Sequence, residues 1–125
     1  MNLVDSSGWL EYFADGKNAD FFVSSIEDTE NLMVSTINIY EVYKKVLREK
    51  DEESAIQAVA LMQNSRIIDV DTSISLTAAK LSYDLKIPMA DSLILSTARL
   101  YNAVLWTQDS DFENIPNVKY KNKNS

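Results

Sequence analysis

The chain has 125 residues, 46% of them apolar, which suits one domain with its own core and excludes a disordered chain. It contains neither cysteine nor histidine, which removes disulfides, thiolate and imidazole metal sites, cysteine nucleophiles and serine–histidine catalysis. With 12 basic against 19 acidic residues the net charge is −7, so the surface repels phosphate at long range and is no passive nucleic-acid coat.

No uncharged run approaches the ~18 residues of a membrane span. The start, Met1-Asn2-Leu3-Val4-Asp5, carries an acid where a signal peptide would carry lysine. The expectation is a soluble, cytoplasmic protein without a membrane partner.

Asn2-Leu3-Val4 reads as a first strand ending at Asp5. Ser6 or Ser7 then caps a helix to about Phe13, with Trp9, Leu10 and Phe13 on one face. A second helix covers Asn18 to Asp28 with Phe21, Phe22, Ser25 and Ile26 on its stripe, and Leu32-Met33-Val34 is a strand. Ser35 or Thr36 caps a helix whose stripe is Ile39, Val42, Tyr43, Val46 and Leu47. Another helix spans Glu52 to Gln63, with Ala55, Ile56, Val59 and Met62 inward. Arg66 to Val70 is a strand, and Thr72 caps a helix carrying Leu76, Ala79 and Leu81. Pro88 opens the next helix, where its missing N–H does no harm, and that helix runs to about Tyr101. Ala103-Val104-Leu105-Trp106 is a fourth strand and Val118-Lys119-Tyr120 a short fifth.

Strands alternating with helices imply an α/β domain over residues 1–120, with residues 121–125 a short polar tail. The sheet is expected to be mostly parallel, with four to five short strands. Right-handed crossovers then gather the strand C-terminal ends on one edge, where open parallel sheets bind ligands.

Asp5 ends the first strand, and Asp109 and Asp111 follow the fourth, so all three fall on that edge. Singly, each also reads as a turn former or cap. Asp91 is different: Ile94, Leu95 and Ala98 lie three, four and seven residues on, so it extends an apolar stripe. A dipole role worth ~0.3–1 kcal/mol explains its place along the helix but not its inward direction. Glu41 shares a face with Lys44, Lys45 and Arg48. That face is either solvated, with a Glu41–Lys45 ion pair worth ~0.2–0.5 kcal/mol, or a metal ligand with a basic strip leading to bound phosphates. Carboxylates converging without histidine or cysteine suit a hard ion, Mg2+ or Mn2+ rather than zinc. Two acids ~4 Å apart repel by roughly 4 kcal/mol at an effective dielectric near 20, so such a cluster needs cations or protons.

Four blocks carry a family resemblance. Leu3-Val4-Asp5-Ser6-Ser7-Gly8-Trp9-Leu10 resembles the opening of PIN-domain nucleases, and Ser35-Thr36-Ile37-Asn38-Ile39-Tyr40-Glu41-Val42 their second acidic block. Pro88-Met89-Ala90-Asp91-Ser92-Leu93-Ile94 resembles the third, and Thr107-Gln108-Asp109-Ser110-Asp111-Phe112 the last. Their order and spacing, over nearly the whole chain, are most similar to the VapC-type toxins of bacterial toxin–antitoxin pairs.

The resemblance implies a three-layer α/β/α fold and a Mg2+- or Mn2+-dependent endoribonuclease acting on RNA. Asp5, Glu41, Asp91 and Asp109 would occupy the acidic metal-site positions, and Ser7 and Thr107 would orient the acids or a coordinated water. Asp111 either joins the site or only begins the last short helix. Lys44, Lys45 and Arg48 are candidates for flanking phosphates. The resemblance also implies a homodimer and a cognate antitoxin that inserts a segment into the active-site groove.

Two other readings compete. A phosphoacceptor receiver domain wants paired acids after the first strand and a lysine after the last core strand, but Ser6-Ser7 follow Asp5 and Thr107-Gln108-Asp109 follow Trp106. A catalytically inactive PIN-like binding domain would be told apart by the absence of metal-dependent cleavage.

Overall fold

Alternation at period two decides which side of the sheet each strand residue faces. Leu3, Met33, Ile68 and Leu105 enter one apolar cluster, while Val4, Leu32, Val34, Ile67 and Trp106 enter another on the opposite face. These residues belong to four strands, β1 (Asn2–Val4), β2 (Leu32–Ser35), β3 (Arg66–Ile68) and β4 (Val104–Thr107), and a fifth, β5 (Val118–Tyr120), follows. The structure is a computed structural model that describes residues 1–124, so Ser125 of the expected tail lies outside the described residues. The strands form one sheet in the order β3-β2-β1-β4-β5, and every pairing is parallel.

Helices cover both faces. α1 (Ser6–Phe13), α2 (Ala19–Glu27), α3 (Thr36–Glu49) and α4 (Glu52–Met62) bring Trp9, Phe22, Ile26, Val42, Ala58 and Met62 to one cluster. α5 (Thr72–Leu85) and α6 (Met89–Leu100) bring Ile74, Ile94, Leu95 and Ala98 to the other. The result is the three-layer α/β/α arrangement. Each fully buried large apolar side chain contributes about 1.5–3 kcal/mol relative to exposure, so both faces supply stability.

Several local expectations are corrected. Asp5, not Ser6 or Ser7, caps α1 by accepting from the Gly8 N–H at 3.0 Å. Asp71, not Thr72, caps α5 through the Ile74 N–H at 2.9 Å. In both cases a carboxylate one residue earlier reaches the orphan donors of the first turn. Leu47, Ile56 and Leu76, assigned to apolar stripes, are exposed. In α4 the buried positions are Ala55, Ala58 and Met62, because small side chains let that helix lie close and turn Ile56 outward. In α5 they are Ile74 and Ala78. Strand β3 stops at Ile68, and the Val70 N–H goes to the Thr36 hydroxyl at 3.1 Å instead of a ladder partner.

The chain runs outward from β1 through β2 to β3, then crosses back to lay β4 and β5 on the other side of β1. The switch therefore falls between β1 and β4, and a crevice opens beyond their carboxyl ends. Among the described residues no helix is long and apolar enough to cross a membrane.

Gly8 lets α1 approach this switch. A Cβ there would lie 2.6 Å from Val4 Cγ1 and 2.7 Å from Phe22 Cε1. Gly8→Ala is expected to cost about 1–3 kcal/mol by overpacking, read as a lowered urea midpoint. An unchanged midpoint would show that α1 is not seated this tightly.

Candidate active site

Register places the first acid. Val4 pairs with Trp106, and the Asp5 N–H donates to the Trp106 carbonyl at 3.1 Å, so Asp5 leaves β1 beside Thr107 at the end of β4. The Thr107 hydroxyl donates to one Asp5 carboxylate oxygen at 2.7 Å. The other oxygen accepts from the Ser7 hydroxyl at 2.7 Å and from the Gly8 N–H at 3.0 Å. Asp5 is almost fully buried, and that burial pushes its pKa up to about 6 against the pull of these three donors.

Glu41 arrives from α3. Its carboxylate accepts from the Ser6 hydroxyl at 2.7 Å, and that hydroxyl accepts in turn from the Asn38 amide at 3.0 Å. The Asn38 carbonyl oxygen takes the Ser35 N–H at 3.2 Å, completing a capping box at the start of α3. Sequence reasoning did not single out Ser6 or Asn38 for the site; the Ser35-x-x-Asn38 spacing of a capping box was a signal for Asn38, whereas the Ser6–Glu41 contact spans 35 residues and leaves none.

Asp91, Asp109 and Asp111 form the tightest group. One carboxylate oxygen from each lies within 4.8 Å of the other two. Asp111 thus joins the acids as well as lying in the short 3-10 turn Ser110–Phe112, and its N–H donates to Asp109 at 2.9 Å. The Asp109 N–H is itself held by the Thr107 hydroxyl at 2.9 Å. Burial pushes the Asp91 pKa up to about 8, helped by a hydrogen bond to Asp111 and by the charges of Asp109, Asp111 and Asp5.

Asp5, Ser7, Glu41, Asp91 and Asp109 line one cleft of about 380 Å³, and Lys44, Lys45 and Arg48 line the same cleft. Lys45 pairs with Glu49 at 3.0 Å, so the expected alternative of a Glu41–Lys45 pair gives way to a neighbour one turn further on. Carboxylate oxygens are the only acidic donors here, a set that fits a hard divalent cation and disfavours zinc.

Two further residues brace the site. Gln108 is buried; its N–H donates to the Ser7 hydroxyl at 3.2 Å and its amide to the Ser7 carbonyl at 3.3 Å. The Asn18 amide donates to Gln108 at 3.0 Å and to the Asn122 carbonyl at 3.2 Å. Contacts spanning some ninety residues leave no local signal in sequence, and neither residue was singled out.

The profile of the PIN domain matches residues 3–118, and the chain belongs to the PIN-domain family. Among solved structures it is similar to a toxin–antitoxin complex from Klebsiella pneumoniae, at 24% identity and a TM-score of 0.79 over 94% of this chain and 95% of that one. VapBC2 from Rickettsia felis, bound to a fragment of its promoter DNA, gives 20% identity and 0.72 over 97% of both chains. VapC20 of Mycobacterium tuberculosis, a toxin that cleaves the sarcin–ricin loop, gives 15% and 0.77 over 93% and 95%. Likeness at these identities establishes a shared fold. No curated protein sequence matches significantly.

The two raised carboxyls set a pH dependence. Unfolded, both titrate near 3.8; folded, they keep their protons to about 6 and about 8. The folded state binds more protons across that interval, so without metal its stability falls as pH rises from about 4 to about 8. Asp91→Asn is expected to flatten the upper part of the fall, measured as urea midpoints in chelator. A wild-type midpoint that rises from pH 6 to 8 would contradict the strain placed on Asp91.

Proposed function

We propose that the chain is a divalent-metal-dependent endoribonuclease, the toxin of a VapBC-type toxin–antitoxin pair. The observation that carries this is the convergence of Asp5, Glu41, Asp91 and Asp109 on one cleft at the carboxyl edge of a PIN-domain sheet. Asp111, within the tight group, is the further candidate ligand. Mg2+ or Mn2+ is the ion the all-oxygen donor set favours.

A bound divalent cation would supply Lewis acidity and a lowered water pKa, a route to phosphodiester hydrolysis without histidine. The chain's own residues do the rest. Thr107, Ser7 and Gly8 hold Asp5 in one orientation, and Ser6 holds Glu41 in another. Asp91 keeps a proton near neutral pH, hydrogen-bonded to Asp111, and so limits the repulsion; with Asp109 and Asp111 it would hold the cation. Lys44, Lys45 and Arg48 bind phosphates flanking the scissile one, which offsets the repulsion expected from a net charge of −7. The reading carries with it a cognate antitoxin, a homodimer and a cytoplasmic location, where RNA is the available substrate.

RNA cleavage by the purified protein is expected with Mg2+ or Mn2+, to stop in chelator and to return on adding metal. Asp5→Asn, Glu41→Gln, Asp91→Asn and Asp109→Asn should each lose about 100-fold or more, the scale of a disturbed catalytic geometry. Pairs should lose little beyond the singles, since the acids act as a unit. Asp111→Asn, exposed at the rim, should lose less. Cleavage that persists in chelator, or in Asp5→Ala with Asp91→Ala, would place the activity elsewhere.

The basic strip has its own test. Lys45→Ala with Arg48→Ala should weaken RNA binding and reduce the salt slope by about two phosphate contacts. A slope equal to wild type would make the strip a solvated face.

A further inference from the structure

An aromatic ring stands open at the mouth of the acidic cleft. Tyr40 immediately precedes Glu41 on α3, lines the same cleft as Asp5, Asp91 and Asp109, and is 59% exposed. It belongs to neither apolar cluster. Its one ring or cation contact among the described residues is Lys44, one helical turn on, whose ammonium lies 5.7 Å from the ring centroid. The fold therefore gains little from this ring, and water meets most of it.

We propose that Tyr40 is a stacking platform for one unpaired nucleobase beside the scissile phosphate, an inference that rests on the endoribonuclease reading. The charges around it say what such a platform would receive. The carboxylates suit a phosphate reached through a cation, and Lys44, Lys45 and Arg48, lining the same cleft, suit phosphates directly. A ligand that carries successive phosphates with a flat aromatic surface beside them is a nucleic-acid strand. A base inside a duplex already has its faces covered by its neighbours, so a base that reaches Tyr40 must come from a single strand, loop or bulge. Every base has such a face, so Tyr40 would read strandedness and leave sequence to other contacts. The Lys44 ammonium, one helical turn on, adds a cation–π contribution to the ring.

The test uses short single-stranded RNAs carrying 2-aminopurine at successive positions, bound to the protein in an Asp91→Asn background so that the strand survives. In the Tyr40-containing protein, 2-aminopurine at one position should be quenched. Tyr40→Ala and Tyr40→Leu should abolish that quenching and weaken binding roughly tenfold, the effect of losing one stacked base. Tyr40→Phe should restore both. On an RNA abasic at that position, Tyr40→Ala should cost little more. Each variant remains foldable because the residue is exposed, and circular dichroism checks that it has folded. If RNA is bound, and cleaved by the protein with Asp91 intact, yet Tyr40→Ala changes neither affinity nor quenching, the platform is overturned while the nuclease reading stands. If no RNA is bound or cleaved at all, both fall together.

Discussion

Like charges gathered at the carboxyl end of a parallel sheet are the constraint around which the rest is arranged. Asp91, Asp109 and Asp111 each place an oxygen within 4.8 Å of the others, and Asp5 and Glu41 open onto the same cleft. At such distances each pair repels by several kcal/mol unless water, protons or cations intervene. The fold tolerates the arrangement in two ways. Asp5 and Glu41 are given donors of their own, from Thr107, Ser7 and Gly8 and from Ser6. Asp91 keeps a proton instead.

Those donors come from the elements nearest in space, which ties the geometry of the acidic site to secondary structure. Thr107 sits beside Asp5 only because β1 and β4 are paired neighbours in this register. Its hydroxyl both donates to Asp5 and accepts from the Asp109 N–H, so one side chain sets the spacing of two acids. Asn38 plays the matching part on α3, where the hydrogen bonds that begin the helix also fix Ser6 against Glu41. A slip of one residue in either place would turn an acid away from the cleft.

Much of this is legible in the sequence. Asp91 stood out because an acid continued an apolar stripe, and the structure places it in the cleft as that pattern required. The strands were legible because their short apolar runs alternate between two buried faces. The helix faces were less so: an exposed Ile56 or Leu76 looks like core in one dimension, and only packing against neighbouring helices shows that alanines take the inner positions. Asp111 was ambiguous because a turn former and a site acid look alike in sequence; here it is both. Gln108 and Asn18 were invisible, since their partners lie 90 to 101 residues away.

On the proposed function, a divalent cation would take the place of a proton held by crowded carboxylates, and proton release on metal binding tests that most directly. Calorimetric titration of Mg2+ or Mn2+ at pH 7, in two buffers of different ionisation enthalpy, counts the protons released. Because Asp91 holds its proton up to about 8, binding is expected to release about one proton per site, and Asp91→Asn should release almost none. Tight binding with no proton released by the wild type, or no binding at all, would contradict the account.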